Sequence, residues 1–148
     1  MARDDASAPV PFEVPVERGK IREFATATLS ANPAYRAADP VIPPTFLTTA
    51  GFFWQSAESK AQARHGLDPR RTLHAEQEYV FHGPPPRAGQ TLTATSRITD
   101  RYEKEGRRGG RLTFVTVVME FRDEHGTLVA EQRSTAVETA HAPKENDR

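Results

Sequence analysis

Apolar residues change their spacing once along this chain, after Arg71. Before that point they recur every three to four residues, the period of a helix face. After it they recur every second residue, the period of a strand. Few folds accept such an order. A run of helix followed by a run of strand predicts an α+β domain with an antiparallel sheet.

The segment VERGKIREFATATLS, residues 16–30, reads as a first helix, with Ile21, Phe24, Ala25 and Thr28 on one face. Asn32-Pro33 ends it, because the residue before proline avoids the helical region. AADPVIPP is a proline-stiffened loop that leads to Thr45, an N-cap candidate. A long helix then runs from Thr45 to Gly66, with Phe46, Ala50, Phe53, Ala57 and Ala61 in one stripe and Leu47, Phe52 and Trp54 beside it. Gly51 within it implies a close backbone approach, since glycine costs a helix about 1 kcal/mol against alanine.

Four strands follow. The first alternates Leu73, Ala75, Tyr79 and Phe81 against His74, Glu76, Glu78 and His82. The second carries Leu92, Ala94 and Ile98, and GRRGG is a hairpin turn whose glycines supply positive φ. RLTFVTVVMEF is apolar on both faces, the mark of a central strand covered on two sides. One helix cannot cover both faces, so a second layer is implied, most simply another subunit. RDEHG and TLVAEQRSTAVET complete the sheet. Residues 1–9 and 141–148 read as flexible tails around a single domain at 10–140.

Composition narrows the function. With 20 basic and 20 acidic residues the net charge is zero, against the basic excess that nucleic-acid binding needs. There is no cysteine, which excludes disulfides, thiolate nucleophiles and cysteine zinc sites. No apolar run approaches the ~20 residues that span a bilayer, and the first ten residues lack an apolar signal core. The expectation is a cytoplasmic protein without nucleic acid or membrane among its partners.

VERGKIREFA, NPAY, PPTFLTTAGF and the run from RAGQTLTATSRITD to EFRDEHGTLVAEQRST resemble the MaoC-like dehydratases, over residues 10–140. The nearest likeness is to the non-catalytic subunit type of two-part (3R)-hydroxyacyl thioester dehydratases. The resemblance implies a hot-dog fold, a curved antiparallel sheet wrapped around a long central helix. It further implies an acyl-ACP or acyl-CoA thioester as ligand, no cofactor, and either a homodimer or a heterodimer with a catalytic hot-dog subunit.

Catalytic members carry Gly-Asp-x-Asn-Pro-x-His after the first helix. Here that stretch is Leu29-Ser30-Ala31-Asn32-Pro33-Ala34-Tyr35. Asn32 and Pro33 match, while Ser30 and Tyr35 replace the aspartate and the histidine. Removing water from a 3-hydroxyacyl thioester needs a base for the proton beside the carbonyl, an acid for the leaving hydroxyl, and donors for the enolate-like oxygen. Serine is no acid without an activator, and tyrosine, near pKa 10 when unperturbed, is a poor base at neutral pH. The resemblance places the start of the long helix, with backbone donors at Thr45 and Phe46, against the thioester carbonyl; an ordinary helix start is the alternative.

Phe46, Phe53 and Trp54 are candidate lining residues for an acyl tunnel, and equally core residues, as is Phe52. Arg107, Arg108 and Arg111 at the hairpin tip are candidates for docking an acidic carrier, or simply a solvated turn. His74 and His82 are separated by eight residues of strand, roughly 27 Å, so they cannot share a metal ion. Three readings remain open: a non-catalytic subunit completed by a partner, a homodimeric dehydratase or thioesterase-like enzyme (a polyketide tailoring step included) using Tyr35 or Asp39, and an acyl-thioester binding module without turnover.

Overall fold

The computed structural model describes residues 8–107 and 109–141. A short strand β1 (Phe12–Pro15) is followed by α1 (Arg18–Ala27), a 3-10 turn at Pro33–Arg36 and another at Phe46–Thr48. Then come α2 (Thr49–Phe53), α3 (Ala57–Gln62), β2 (Thr72–Phe81), β3 (Thr91–Glu105), β4 (Arg111–Arg122) and β5 (Leu128–Glu138). The strands form one antiparallel sheet in the order β1-β3-β4-β5-β2, with the helices on one face. This is the α+β hot-dog arrangement, and β4 is central as its two apolar faces predict. β1 has four residues, two of them Phe12 and Val14 on the core face, too few for a period to declare itself.

The register explains where the core sits. Phe12, Ala94, Phe121, Ala130 and Phe81 lie in one row across all five strands. Ser96, Met119, Gln132 and Tyr79 form the next row. Ile21 of α1 and Phe46, Leu47 and Ala50 pack down on these rows. Each fully buried large side chain of this kind contributes about 1.5–3 kcal/mol of transfer free energy.

The long central helix is in pieces. The stretch from Thr45 starts as a 3-10 turn, passes into the five-residue α2, and breaks at Trp54. α3 restarts with Ser56 as its N-cap, whose hydroxyl accepts from the Ser59 N–H at 3.1 Å. The apolar stripe breaks with it. Phe46 and Ala50 are buried, but Phe52, Phe53, Ala57 and Ala61 are exposed, and Ser59 takes the buried position of α3. Gln55 seals the break by donating to Ser59 Oγ at 3.2 Å and to Ser96 Oγ at 2.8 Å. Gly51 has no close neighbour to explain it: a Cβ there would meet only Gln55 Oε1, at 3.7 Å. Thr45 occupies the N-cap position without a capping bond from its side chain.

A bulge changes the face of β2. The β2–β5 register shifts between His74 and Glu76, leaving Ala75 out of the ladder. Leu73 therefore lies on the outer face, 56% exposed, while Tyr79 and Phe81 face the core. His74 falls on the opposite face from Glu76, Glu78 and His82. The outer face of the sheet is partly self-covering. Val118 is only 5% exposed, in a row between Arg97 and Arg133. Around it Glu120 pairs with Arg97 and Arg122, both at 3.0 Å, and Glu131 bonds His82 at 2.7 Å and Arg133 at 3.4 Å. The bonds from Arg97 and from His82 hold the Glu120 and Glu131 carboxyls below the usual carboxylate range. At the far end Tyr102 stacks on Phe114 at 4.9 Å with Lys104 over both rings. Gly109 and Gly110 take the positive φ expected at that hairpin, +79° and +85°.

Candidate functional site

The segment after α1 keeps a defined backbone. The Leu29 N–H reaches the Thr26 carbonyl at 3.0 Å and the Ser30 N–H reaches the Ala25 carbonyl at 2.8 Å, the paired bonds of a Schellman motif. That motif puts Leu29 in the left-handed region, at φ +56°, with its side chain 91% exposed. Leucine thus stands where glycine fits best, at the position of the glycine in the motif quoted above. Asn32 then accepts from the Ala34 N–H at 3.0 Å and caps the turn Pro33–Arg36. Arg36 reaches back to the Ser30 carbonyl at 2.8 Å, which closes the loop on itself.

Two proline-stiffened loops meet beside this segment. The Ile42 N–H donates to the Pro86 carbonyl and the Ala88 N–H to the Pro40 carbonyl, both at 3.0 Å. Between them and the motif segment lies an apolar cleft of about 340 Å³, lined by Asn32, Ala34, Tyr35, Val41, Ile42, Pro44, Phe81 and Pro85. Among the described residues this lining holds no carboxylate and no imidazole. Tyr35 is half-buried against the core, and Asp39 is turned to Arg87 at 3.3 Å. Val41, Ile42, Phe81 and Pro85 were not among the candidates; their signal was the pair of proline runs, VIPP and GPPP, whose fixed φ favours extended segments that can zip together.

The remaining candidates fall outside the cleft. Phe46 is fully buried in the core, in edge contact with Phe24 at 5.6 Å, and its N–H is committed to the Pro43 carbonyl at 3.0 Å. Thr45 is exposed, Trp54 is half-buried against the core, and Phe53 is exposed under Lys20 Nζ at 5.3 Å. The arginine hairpin lies ten residues along β4 from Phe121, roughly 33 Å from the row that reaches the cleft. There Arg111 pairs with Glu103 at 3.4 Å and Arg107 is exposed, while Arg108 is outside the described residues. No group of three or more metal-ligating side chains occurs among the described residues, and none of their helices is long and apolar enough to cross a membrane.

Comparison with known proteins places the chain in a dehydratase-domain family. Residues 7–132 match the family model for the FAS1-like dehydratase domain region. A UPF0336 protein of Parafrankia sp. is 34% identical over 145 residues, covering 90% of this chain and 89% of that protein. A UPF0336 protein of Streptomyces coelicolor is 39% identical over 97 residues, and the match spans only 62% of its length. Among solved structures, the truncated (3R)-hydroxyacyl-ACP dehydratase complex HadBC of Mycobacterium tuberculosis superposes with a TM-score of 0.67 at 24% identity, covering 87% of this chain and 95% of that one. A MaoC-like dehydratase superposes with a TM-score of 0.71 at 21% identity, over 88% of this chain and 40% of that one.

Proposed function

The chain belongs to the FAS1-like dehydratase-region family, with the hot-dog fold of the MaoC-like dehydratases, and on that premise we propose that it is the acyl-thioester-binding, non-catalytic subunit of a (3R)-hydroxyacyl thioester dehydratase. A partner hot-dog subunit supplies the aspartate and histidine. The observation that carries this reading is the cleft itself. Its backbone frame is complete, with Asn32 capping the turn, yet among the described residues its lining offers neither a carboxylate nor an imidazole. An apolar cleft without an acid–base pair can hold an acyl chain and exclude water, but it cannot move the proton beside the carbonyl at a useful rate. Loss of a general base alone typically costs on the order of 10²–10⁴ in rate. A structural neighbour that is itself a complex of two dehydratase subunits supports the division of labour.

The test is hydration of a trans-2-enoyl-CoA, followed by loss of enoyl absorbance. The purified chain alone gives no turnover. Added to a MaoC-type subunit that carries the Asp–His pair, it gives turnover or changes the chain-length preference of that subunit. Turnover by the chain alone overturns the proposal.

One observation favours a second reading. Among the described residues Tyr35 is the only ionisable side chain lining the cleft, so chemistry within this chain would fall to it. Tyr35→Phe abolishes activity under that reading and leaves the assembled complex active under the first.

A further inference from the structure

The outer face of the sheet has two unlike ends. At one end the charges are answered within the chain: Arg97 and Arg122 hold Glu120, and His82 and Arg133 hold Glu131. At the other end Tyr102, Phe114, Val137 and Leu73 form one apolar row across β3, β4, β5 and β2. Leu73 is 56% exposed and the other three are half-buried. The helices pack on the opposite face and leave this row uncovered. An antiparallel sheet with one face in water presents polar side chains there, as the first end does and the second does not.

Charges flank the apolar row in a fixed order. On β3, Lys104 stands one step beyond the row and Asp100 one step before it, both exposed and both on the outer face. Lys104 lies over the Tyr102 and Phe114 rings at 5.1 and 5.7 Å, and neither it nor Asp100 has an ion pair among the described residues. Beside Asp100, the Thr116 and Thr135 hydroxyls bond each other at 3.0 Å, so both can be covered without leaving a polar group unpaired. We propose that this end of the outer face packs on the same face of a second copy of this chain, with Lys104 of each copy opposite Asp100 of the other.

Symmetry selects that arrangement. Sheets stacked face to face lie about 10 Å apart with their strands nearly aligned. A two-fold axis between two copies runs either along the apolar row or along the strands. Along the row, it sets the four apolar side chains on themselves, carries Lys104 onto Asp100 of the other copy and Leu112 onto Thr116. Along the strands, it exchanges β3 with β2 and brings Asp100 against Glu76, carboxylate to carboxylate. The first axis gives a closed, self-complementary pair with two opposite-charge contacts. The patch spans four strands and three rows, about 19 by 20 Å. That is roughly half of what each partner gives a standard interface, so the pair is weak and the charges decide it.

The experiment exchanges the charges with D100K and K104D, followed by sedimentation equilibrium and hydrogen exchange at low salt. The wild type self-associates with a Kd of about 100 micromolar. Alone, D100K opposes cations at both contacts and K104D opposes carboxylates, and each self-associates about tenfold more weakly. Mixed one to one, the two variants restore an opposite-charge pair at both contacts and recover the wild-type affinity, which also shows that both are folded. Association weakens with salt, and protection from exchange appears in residues 112–118 and 133–137. A mixture no tighter than its components overturns the inference, as does a wild type unassociated at about 1 millimolar or protection confined to other residues. All three proteins share every other surface, so a contact elsewhere contributes equally to each. The patch lies on the face opposite the cleft, and none of these readouts depends on dehydratase activity.

Discussion

Phe46 and Phe53 lie seven positions apart in what reads as a single helical stripe, and the structure gives them opposite surroundings. Phe46 has no exposed surface and meets Phe24 edge-on at 5.6 Å. Phe46→Ala removes a full aromatic side chain from a packed core, at a cost of about 3–5 kcal/mol. Phe53 is 63% exposed, so its buried third contributes about 1 kcal/mol or less. Lys20 at 5.3 Å from its ring adds about 0.5 kcal/mol. Phe53→Ala should therefore cost about 1 kcal/mol. For a chain of this length the two variants differ in Tm by roughly ten degrees. Urea denaturation at two protein concentrations measures both. A Phe53→Ala cost equal to that of Phe46→Ala at high dilution would refute the broken-helix layer. A cost that appears only at high concentration would mean that subunits bury Phe53 between them.

Two further predictions concern polar groups. Glu120 and Glu131 have folded pKa values below their ordinary value of 4.5, because Arg97 and His82 hydrogen-bond the carboxylates. A depressed carboxylate contributes stability that is complete above the unfolded value and is lost as pH falls through the folded one. The urea midpoint should hold above about pH 5 and decline below pH 4.5, and Glu120→Gln should flatten that decline; a midpoint unchanged down to pH 3 would contradict it. Gln132 carries a buried side-chain carbonyl oxygen without a hydrogen-bond partner among the described residues. Gln132→Met removes the orphaned acceptor at similar volume, so stability should be unchanged or rise by about 1 kcal/mol, where an ordinary core disruption would lower it.

Period alone determined much of this protein. The switch from helical to alternate spacing identified four of the five strands, and β4, apolar on both faces, could only be central. The glycines of the arginine hairpin were local statements that tertiary contacts had no reason to change, whereas α1 ends at Ala27 on the left-handed Leu29, ahead of the Asn-Pro pair expected to stop it. Tertiary structure decided the rest. Helical spacing from Phe46 to Ala61 is compatible with one buried stripe, but Ser56 caps a new helix and Gln55 ties the break to Ser96 on β3, a partner 41 residues away. Alternation along β2 cannot reveal a bulge, which exists only against the register of β5, and that bulge moves Leu73 outward and separates His74 from Glu76. The cleft is wholly a tertiary object. Its walls come from three segments brought together by backbone bonds between two proline loops, bonds whose partners lie more than forty residues apart and leave no mark in local sequence.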